Sequence, residues 1–403
     1  MASNAPLQLG FVKLKKDSYI VLEGKQNADR FFIIREGQVR ISKEVEVVAE
    51  EGGNILGPGD FFAVVSTMSS HSHIETARAL TDVTVISVQK DQYSALIQQN
   101  NAVAMKIILQ FSQRMRYLDE ALSTLALKNS TENGVSHLFN VGEYYANTDQ
   151  YNHAHYIYSR YLELCPQGEY SQPARQRMEK IAPFVKAAKQ EVKPGESSRK
   201  YARDTMIFAE GEPGNELYII QSGAVKIAKI AGNNEILLAI LKPGDIFGEM
   251  ALLESKPRTA CALAYEDSVL LTVSKANFAR MAATQPQIIA RLTVLLAERI
   301  WLAYKQLANT LIENPLGRIY DALLLQLEKS RVNMETEKSH SFDFGLKELI
   351  NMVGLSPDEG ALMMRKIMEN RTIQIVDDKI FALDIQDIVK QASLNSRPIR
   401  KSA

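Results

Sequence analysis

The sequence predicts an α+β chain built on two copies of one β-barrel or jelly-roll domain, with helices between and after them. The stretches "IVLEGKQNADRFFIIREGQVRIS" (Ile20–Ser42) and "MIFAEGEPGNELYIIQSGAVKIAK" (Met206–Lys229) share one skeleton: Glu-Gly, a polar turn, an aromatic before Ile-Ile, then Gly, Val, a basic residue and Ile. Gly24 and Gly211 stand roughly 187 positions apart, too far for stacked solenoid repeats and fitting for a duplicated domain. Both copies consist of short alternating apolar runs punctuated by glycine, the pattern of antiparallel strands joined by tight turns. A chain of 403 residues leaves room for roughly two to four domains.

The elements follow in order. The first copy, with a trailing helix, takes residues 1–130; it passes through the turn "GPGD" (Gly57–Asp60), reaches the strand "VTVISV" (Val83–Val88), and continues as an unbroken helical stretch from Asp91 to Lys128. Residues 131–194 form a helical segment, in which "HLFNVGEYYANTDQYNHAHYIYSRYLELCP" (His137–Pro166) places Leu138, Val141, Gly142, Tyr145, Ala154, Tyr158 and Pro166 at the spacing of a single tetratricopeptide repeat, which it resembles. One such unit cannot cover both its faces, so it is expected as a packed connector, with partner binding the lesser alternative. "VKPGESSRK" (Val192–Lys200) reads as the linker into the second copy, residues 195–309, which repeats the turn as "KPGD" (Lys242–Asp245) and the strand as "VLLTV" (Val269–Val273). Ile289, Leu292, Leu296, Ile300, Ala303, Leu307 and Leu311 then recur every three or four residues, giving a long helix with one apolar face for its own barrel or for a dimer seam.

Residues 310–390 have a winged helix-turn-helix outline. "LKELINMVGLSPDEGALMMRKIMEN" (Leu346–Asn370) sets Gly354 in the turn and Ser356 as the cap of the second helix, and "TIQIVDDKIFAL" (Thr372–Leu383) reads as a hairpin suited to a wing. Between Gly345 and Lys390 six basic residues stand against eight acidic ones, a net charge of −2 that opposes contact with phosphates. Only the tail, residues 391–403, is basic, through "RPIRK" (Arg397–Lys401).

Composition narrows the classes. Lys+Arg 47 balances Asp+Glu 47, so no global field steers the chain toward nucleic acid. Cys165 and Cys261 show no pairing pattern, and neither a signal segment nor a membrane-length apolar run is present; a cytoplasmic, unanchored protein is expected. No nucleophile–base pair or metal cluster stands out, so no enzyme, catalytic residue or cofactor is expected. His71 and His73 lack a third ligand and read as a polar loop.

The chemistry concentrates in "FGEMALLESKPRTA" (Phe247–Ala260), which sets Glu249 and Arg258 at the ends of a small, apolar stretch. A carboxylate accepts from a sugar hydroxyl, and a guanidinium forks onto phosphate oxygens, so a phosphorylated sugar ring is the expected ligand. The segment resembles the phosphate-binding cassette of the cyclic nucleotide-binding domain. That resemblance implies Glu249 on the ribose 2′-hydroxyl and Arg258 on the cyclic phosphate, with Phe247, Gly248, Met250, Ala251, Leu252, Thr259 and Ala260 completing the site for cyclic AMP or cyclic GMP. In the first copy, "DFFAVVSTMSSHSHIETARA" (Asp60–Ala79), aligning Thr76-Ala77 with Thr259-Ala260 puts Val64 in the place of Glu249 and Glu75 in the place of Arg258, so a scaffold or dimerisation module is expected, with a different ligand as the lesser alternative.

From Asn277 onward the layout resembles the dimer helix, "LGRI" hinge and helix-turn-helix of catabolite-activator-type (Crp/Fnr-like) regulators. Where that family holds the adenine with two polar residues, Ala303 and Tyr304 stand, which suggests Tyr304 or Trp301 stacking on the base. Where it reads DNA with arginine and glutamate, Pro357, Asp358 and Leu362 stand, although Arg365 keeps a basic position. The expected function is therefore a cyclic nucleotide receptor that regulates a protein partner or homodimer through its C-terminal domain, with a DNA-binding transcription factor as the alternative.

Overall fold

A computed structural model describes residues 9–26, 28–43, 54–127, 135–186, 197–231, 234–355 and 357–395. Residues Val192–Glu196 of the linker, Ser356 and the basic stretch Arg397–Lys401 lie outside the described residues. The chain divides into two compact units, one containing Tyr93–Leu296 and the other Gln8–Gln92 with Ala297–Ala403.

In the second of these units, the first copy is made of β1 (Gly10–Leu14), β2 (Tyr19–Val21), β3 (Arg30–Glu36), β4 (Val39–Ser42), β5 (Ile55–Leu56), β6 (Phe61–Phe62), α1 (Val64–Ser69), β7 (Thr76–Ala79) and β8 (Val83–Gln89). Its strands pair as two antiparallel sheets, β1-β8-β3-β6 and β2-β7-β4-β5, which is the jelly-roll alternative and not a closed barrel. Phe32, Ile34, Val39, Ile41, Phe62, Ala77 and Val85 form its core, as the period-two alternation of β3 and β4 requires. The predicted turn is a Pro-Gly turn with Gly59 at φ 86°, closed by the Asp60 amide on the Gly57 carbonyl at 3.0 Å. Positive φ at the residue after proline is what a type II turn demands, and glycine supplies it without strain.

The unit containing Tyr93–Leu296 begins with α2 (Tyr93–Gln99) and α3 (Asn101–Leu127); the predicted single helix is broken at Asn100, whose side chain accepts from the Val103 amide. Next come α4 (Val135–Asn147), α5 (Tyr151–Leu164) and α6 (Ser171–Ile181), a third helix beyond the pair that the repeat pattern predicts. Leu138, Val141, Tyr145, Ala154, Tyr158 and Tyr161 share one core with Met206, Ala209, Ile230, Cys261 and Leu263, so these helices are packed onto the second copy. That copy repeats the first: β9 (Ser198–Tyr201), β10 (Met206–Phe208), β11 (Glu216–Ser222), β12 (Val225–Ala231), β13 (Asn234–Leu241), β14 (Ile246–Phe247), α7 (Glu249–Glu254), β15 (Cys261–Ala264) and β16 (Ser268–Ser274). Its sheets run β14-β11-β16-β9 and β10-β15-β12-β13. Gly244, at φ 92°, repeats the Pro-Gly turn. Two helices follow, α8 (Lys275–Thr284) and α9 (Pro286–Thr310).

The C-terminal part is a small α+β body of α10 (Pro315–Lys329), β17 (His340–Ser341), α11 (Leu346–Met352), α12 (Pro357–Met368), β18 (Ile373–Val376), β19 (Lys379–Ala382) and α13 (Ile385–Asn395). "LGRI" lies inside the first turns of α10, which Asn314 caps through the Leu316 amide; the helical break comes before it, between Thr310 and Asn314. β18 and β19 form the expected hairpin, and Asp377 and Asp378 both have positive φ, the two-residue turn that matches strand twist. No helix among the described residues is long and apolar enough to cross a membrane.

Gly142 tests the packing of α4 on α5. A Cβ there would lie 2.6 Å from a Tyr158 ring carbon. Overpacking costs about 1–3 kcal/mol, more than the gain of up to about 1 kcal/mol from replacing a helical glycine. Gly142→Ala is therefore expected to lower the midpoint of thermal unfolding, and an unchanged or raised midpoint would contradict this packing.

Candidate functional site

The cassette of the second copy is a turn wrapped around one guanidinium. β14 delivers Phe247 into the core, stacked on Tyr218 with centroids 5.1 Å apart. Gly248 follows with φ 76°, and α7 starts at Glu249, which is 1% exposed. After α7, the chain pairs Pro257 with Pro213 and brings Arg258 back under the helix start, 6% exposed. Its Nη1 donates to the Gly248 carbonyl at 2.6 Å and its Nη2 to the Glu216 carbonyl at 2.8 Å. The planar cation lies 4.2 Å from the Phe208 ring centroid. Nε is buried without a partner. Burial pulls the Arg258 pKa below the usual arginine value, and Tyr218, Glu212, Glu249 and Glu216 oppose that pull; an arginine still stays charged.

Small residues make room for this side chain. A Cβ on Gly248 would lie 2.7 Å from Arg258 Nη1, and one on Gly214 would lie 2.5 Å from its Cζ and 2.7 Å from the Ala251 Cβ. Ala251, Leu252 and Ala260 are buried, while Met250 and Thr259 are partly exposed. A buried cation with one unsatisfied donor, in electrostatic reach of a buried carboxylate, is suited to an anion that also carries a hydroxyl.

The family profile described as Cyclic nucleotide-binding domain matches residues 11–100 and 198–285. This is a tandem cyclic nucleotide-binding domain protein. A CRP-like cAMP-activated global transcriptional regulator of Mycobacterium tuberculosis is 27% identical over 193 residues, 48% of this chain and 86% of the relative. The cyclic AMP receptor protein of Thermus thermophilus is 29% identical over 178 residues, 44% of this chain and 79% of the relative. Among solved structures, the catabolite activator protein of Thermus thermophilus is 27% identical over 49% of this chain and 89% of its own, at a TM-score of 0.29.

The first cyclic nucleotide-binding domain keeps the backbone of the cassette and changes its chemistry. Ala63 holds the left-handed position of Gly248 at φ 63°, and Val64 opens α1 where Glu249 opens α7. The backbone bonds fix the rest of the register. Gly24 donates to the His73 carbonyl at 2.8 Å as Gly211 donates to that of Arg258 at 2.9 Å, and the His73 and Arg258 amides return bonds to Lys25 and Glu212. His73, not Glu75, therefore stands in the place of Arg258, and Glu75 takes that of Ala260. Matching the Thr-Ala pairs misplaced the register by two residues, because β-pairing rather than that dipeptide aligns the copies. Burial lowers the His73 pKa against the opposing Glu75 and Asp29 carboxylates, which keeps its ring neutral at pH 7. The buried Glu75 carboxylate accepts from the Ala63 amide at 2.8 Å. A neutral imidazole and a carboxylate replace the cation of the second domain.

Tyr304 and Trp301 belong to the unit that holds this first domain, not to the one that holds the second cassette. The Trp301 indole donates to the Ser72 carbonyl at 3.2 Å and stacks on His71 at 4.0 Å, and the Tyr304 hydroxyl donates to Glu23 at 3.1 Å. Both side chains thus meet residues of the first domain. The residue that reaches the second cassette from a long helix comes from α3. Arg116 Nε donates to Glu254 at 2.9 Å and its Nη1 to the Pro257 carbonyl at 3.2 Å, while Ser112 donates to Glu254 at 2.6 Å. Sequence reading missed these partners.

His71 carries a pH prediction. Burial and then Arg331, Lys305 and Lys90 push its pKa down from 6.5 to about 4. Between those values the unfolded imidazole binds a proton that the folded one refuses, so stability is lost as pH falls through this window. Denaturant titrations at stepped pH should show a shallower loss for His71→Phe, which keeps an aromatic ring on Trp301, than for the unmodified chain. Identical slopes would remove His71 from the explanation.

Proposed function

We propose that this chain is a cyclic nucleotide receptor that binds one nucleotide, cyclic AMP in the first instance and cyclic GMP as the alternative, in its second domain. The observation that carries the reading is the buried Arg258, forked onto two carbonyls with Nε unsatisfied, beside the buried Glu249. Arg258 pairs with the cyclic phosphate and Glu249 accepts the ribose hydroxyl; Phe247, Gly248, Met250, Ala251, Leu252, Thr259 and Ala260 shape the turn around them. Filling that turn moves α7, and Arg116 and Ser112 couple its end, through Glu254, to α3. A ligand shifts such an equilibrium only by its difference in affinity for the two arrangements. The regulated output is the C-terminal body, read as a winged helix acting on a protein partner or a second copy.

Calorimetric titration tests this. One nucleotide per chain is expected, and Arg258→Ala is expected to weaken binding thirtyfold or more, on the order of 2 to 5 kcal/mol for removing one partner of a buried charged pair. Unchanged affinity in a folded Arg258→Ala chain, or two sites per chain, would refute the assignment.

A transcription factor is the second reading, favoured by the 193-residue match to a transcriptional regulator, which is longer than the second domain alone. Against it, α12 opens with exposed Asp358 and Glu359, and Leu362 is 53% exposed in mid-helix, with Arg365 and Lys366 the cations of its last turn. Base readout depends on forked donors worth roughly 1 to 3 kcal/mol each, and acids at a helix start repel phosphates. No sequence preference among random duplexes is expected at physiological salt, with or without nucleotide. Enrichment of a palindromic motif in an in vitro selection would restore the transcription-factor reading.

A further inference from the structure

The helices between the two domains lie outside both family matches, yet α5, like α3, reaches the wall of the second cassette. Arg160 of α5 donates through Nε to Glu212 Oε1 at 2.7 Å. Glu212 is 3% exposed, and its other oxygen accepts from the Ala209 amide at 3.0 Å with the Tyr156 hydroxyl 3.4 Å away. The loop that carries it is the one that confines Arg258: the Glu212 carbonyl accepts from the Arg258 amide at 2.8 Å, Pro213 bridges Pro257, and Gly214 admits the guanidinium because it has no side chain. Glu212 is also among the acids that act electrostatically on Arg258.

A buried carboxylate beside a buried guanidinium gains most by pairing with it, and a guanidinium so paired has less to offer a phosphate. Glu216 raises the same problem and is held by Arg199 in two bonds of 2.9 and 3.0 Å. For Glu212 the restraining cation comes from outside the domain.

We propose that Arg160 is a positioning residue for cyclic nucleotide binding: by holding Glu212, the connector helix keeps that carboxylate off Arg258 and leaves the guanidinium to the phosphate. This rests on the second cassette being the nucleotide site. Affinity for the nucleotide then depends on how α5 is seated, so a ligand or partner that displaced the connector would weaken binding without touching the pocket.

The test is a double-mutant cycle on the full chain, titrated with cyclic AMP. Arg160→Gln keeps most of the stem and removes the charge; it should weaken binding by roughly three- to tenfold, in the range of a partly exposed charged pair, while Arg160→Lys recovers most of the loss. In a Glu212→Gln background the same Arg160→Gln change should have no effect, because the carboxylate to be restrained is gone. Arg177→Ala, which breaks a pair with Glu143 inside the connector, should leave affinity unchanged. Thermal unfolding confirms that each variant is folded. Wild-type affinity in Arg160→Gln, or an equal loss with and without Glu212→Gln, would overturn the inference while leaving the site reading intact. No binding by the unmodified chain, or none lost in Arg258→Ala, would overturn the site reading and this inference with it.

Discussion

Desolvating one guanidinium is the constraint on which the second domain depends. An ionised group in a low-dielectric interior is stable only if its donors are used and opposite charge is near. Arg258 meets this with two carbonyls, an aromatic face and nearby acids. The surrounding sequence follows from the space that the side chain takes. Gly248 and Gly214 lack side chains because a Cβ at either would overlap the guanidinium. The first domain supplies the converse. With His73 in place of the arginine, the left-handed position before its short helix is held by Ala63, a side chain tolerated despite a backbone conformation that favours glycine.

Backbone and side-chain chemistry have thus separated between the two copies. Asp17 and Asp204, Gly37 and Gly223, Gly59 and Gly244, and Ser70 and Ser255 adopt positive φ at corresponding places, so the turns that build a jelly roll are the same in both. None of those turns touches the question of whether a phosphate is bound. A duplicated domain can lose its ligand chemistry without losing its fold, since the fold is specified by turn geometry and alternating burial.

The same separation explains what was legible in the sequence. Strand alternation, the Pro-Gly turns and the hairpin within Thr372–Leu383 are local, with all their determinants within a few residues, and they stand where expected. The α+β class and the duplication were legible for that reason. The register of the first cassette was not, because His73 and Arg258 correspond through hydrogen bonds to residues far upstream. Nor were the partners on α3 and α5: Arg116 and Glu254 are 138 residues apart, and no periodicity marks one for the other. The partner of Tyr304, Glu23, was hidden for a related reason, since the pattern that marks a buried helical face does not say what buries it.

Arg116 stands fifteen residues after the first residue of α3, and Trp301 fifteen after that of α9. Each donates to the carbonyl just before a corresponding cassette residue, Arg116 to Pro257 before Arg258 and Trp301 to Ser72 before His73. Where the cassette keeps Arg258, the donor is a charged side chain that also grips Glu254 at the end of α7, a contact that any shift of that short helix must alter. Where the cassette has His73, the donor is an indole stacked on His71, whose burial and neighbouring cations keep the ring neutral. Polar, charge-assisted contacts depend steeply on geometry, whereas packed aromatic contacts hold one arrangement. The Arg116–Glu254 pair at the end of α7 is therefore the more geometry-sensitive of the two contacts, and the Trp301–His71 stack the more fixed by packing.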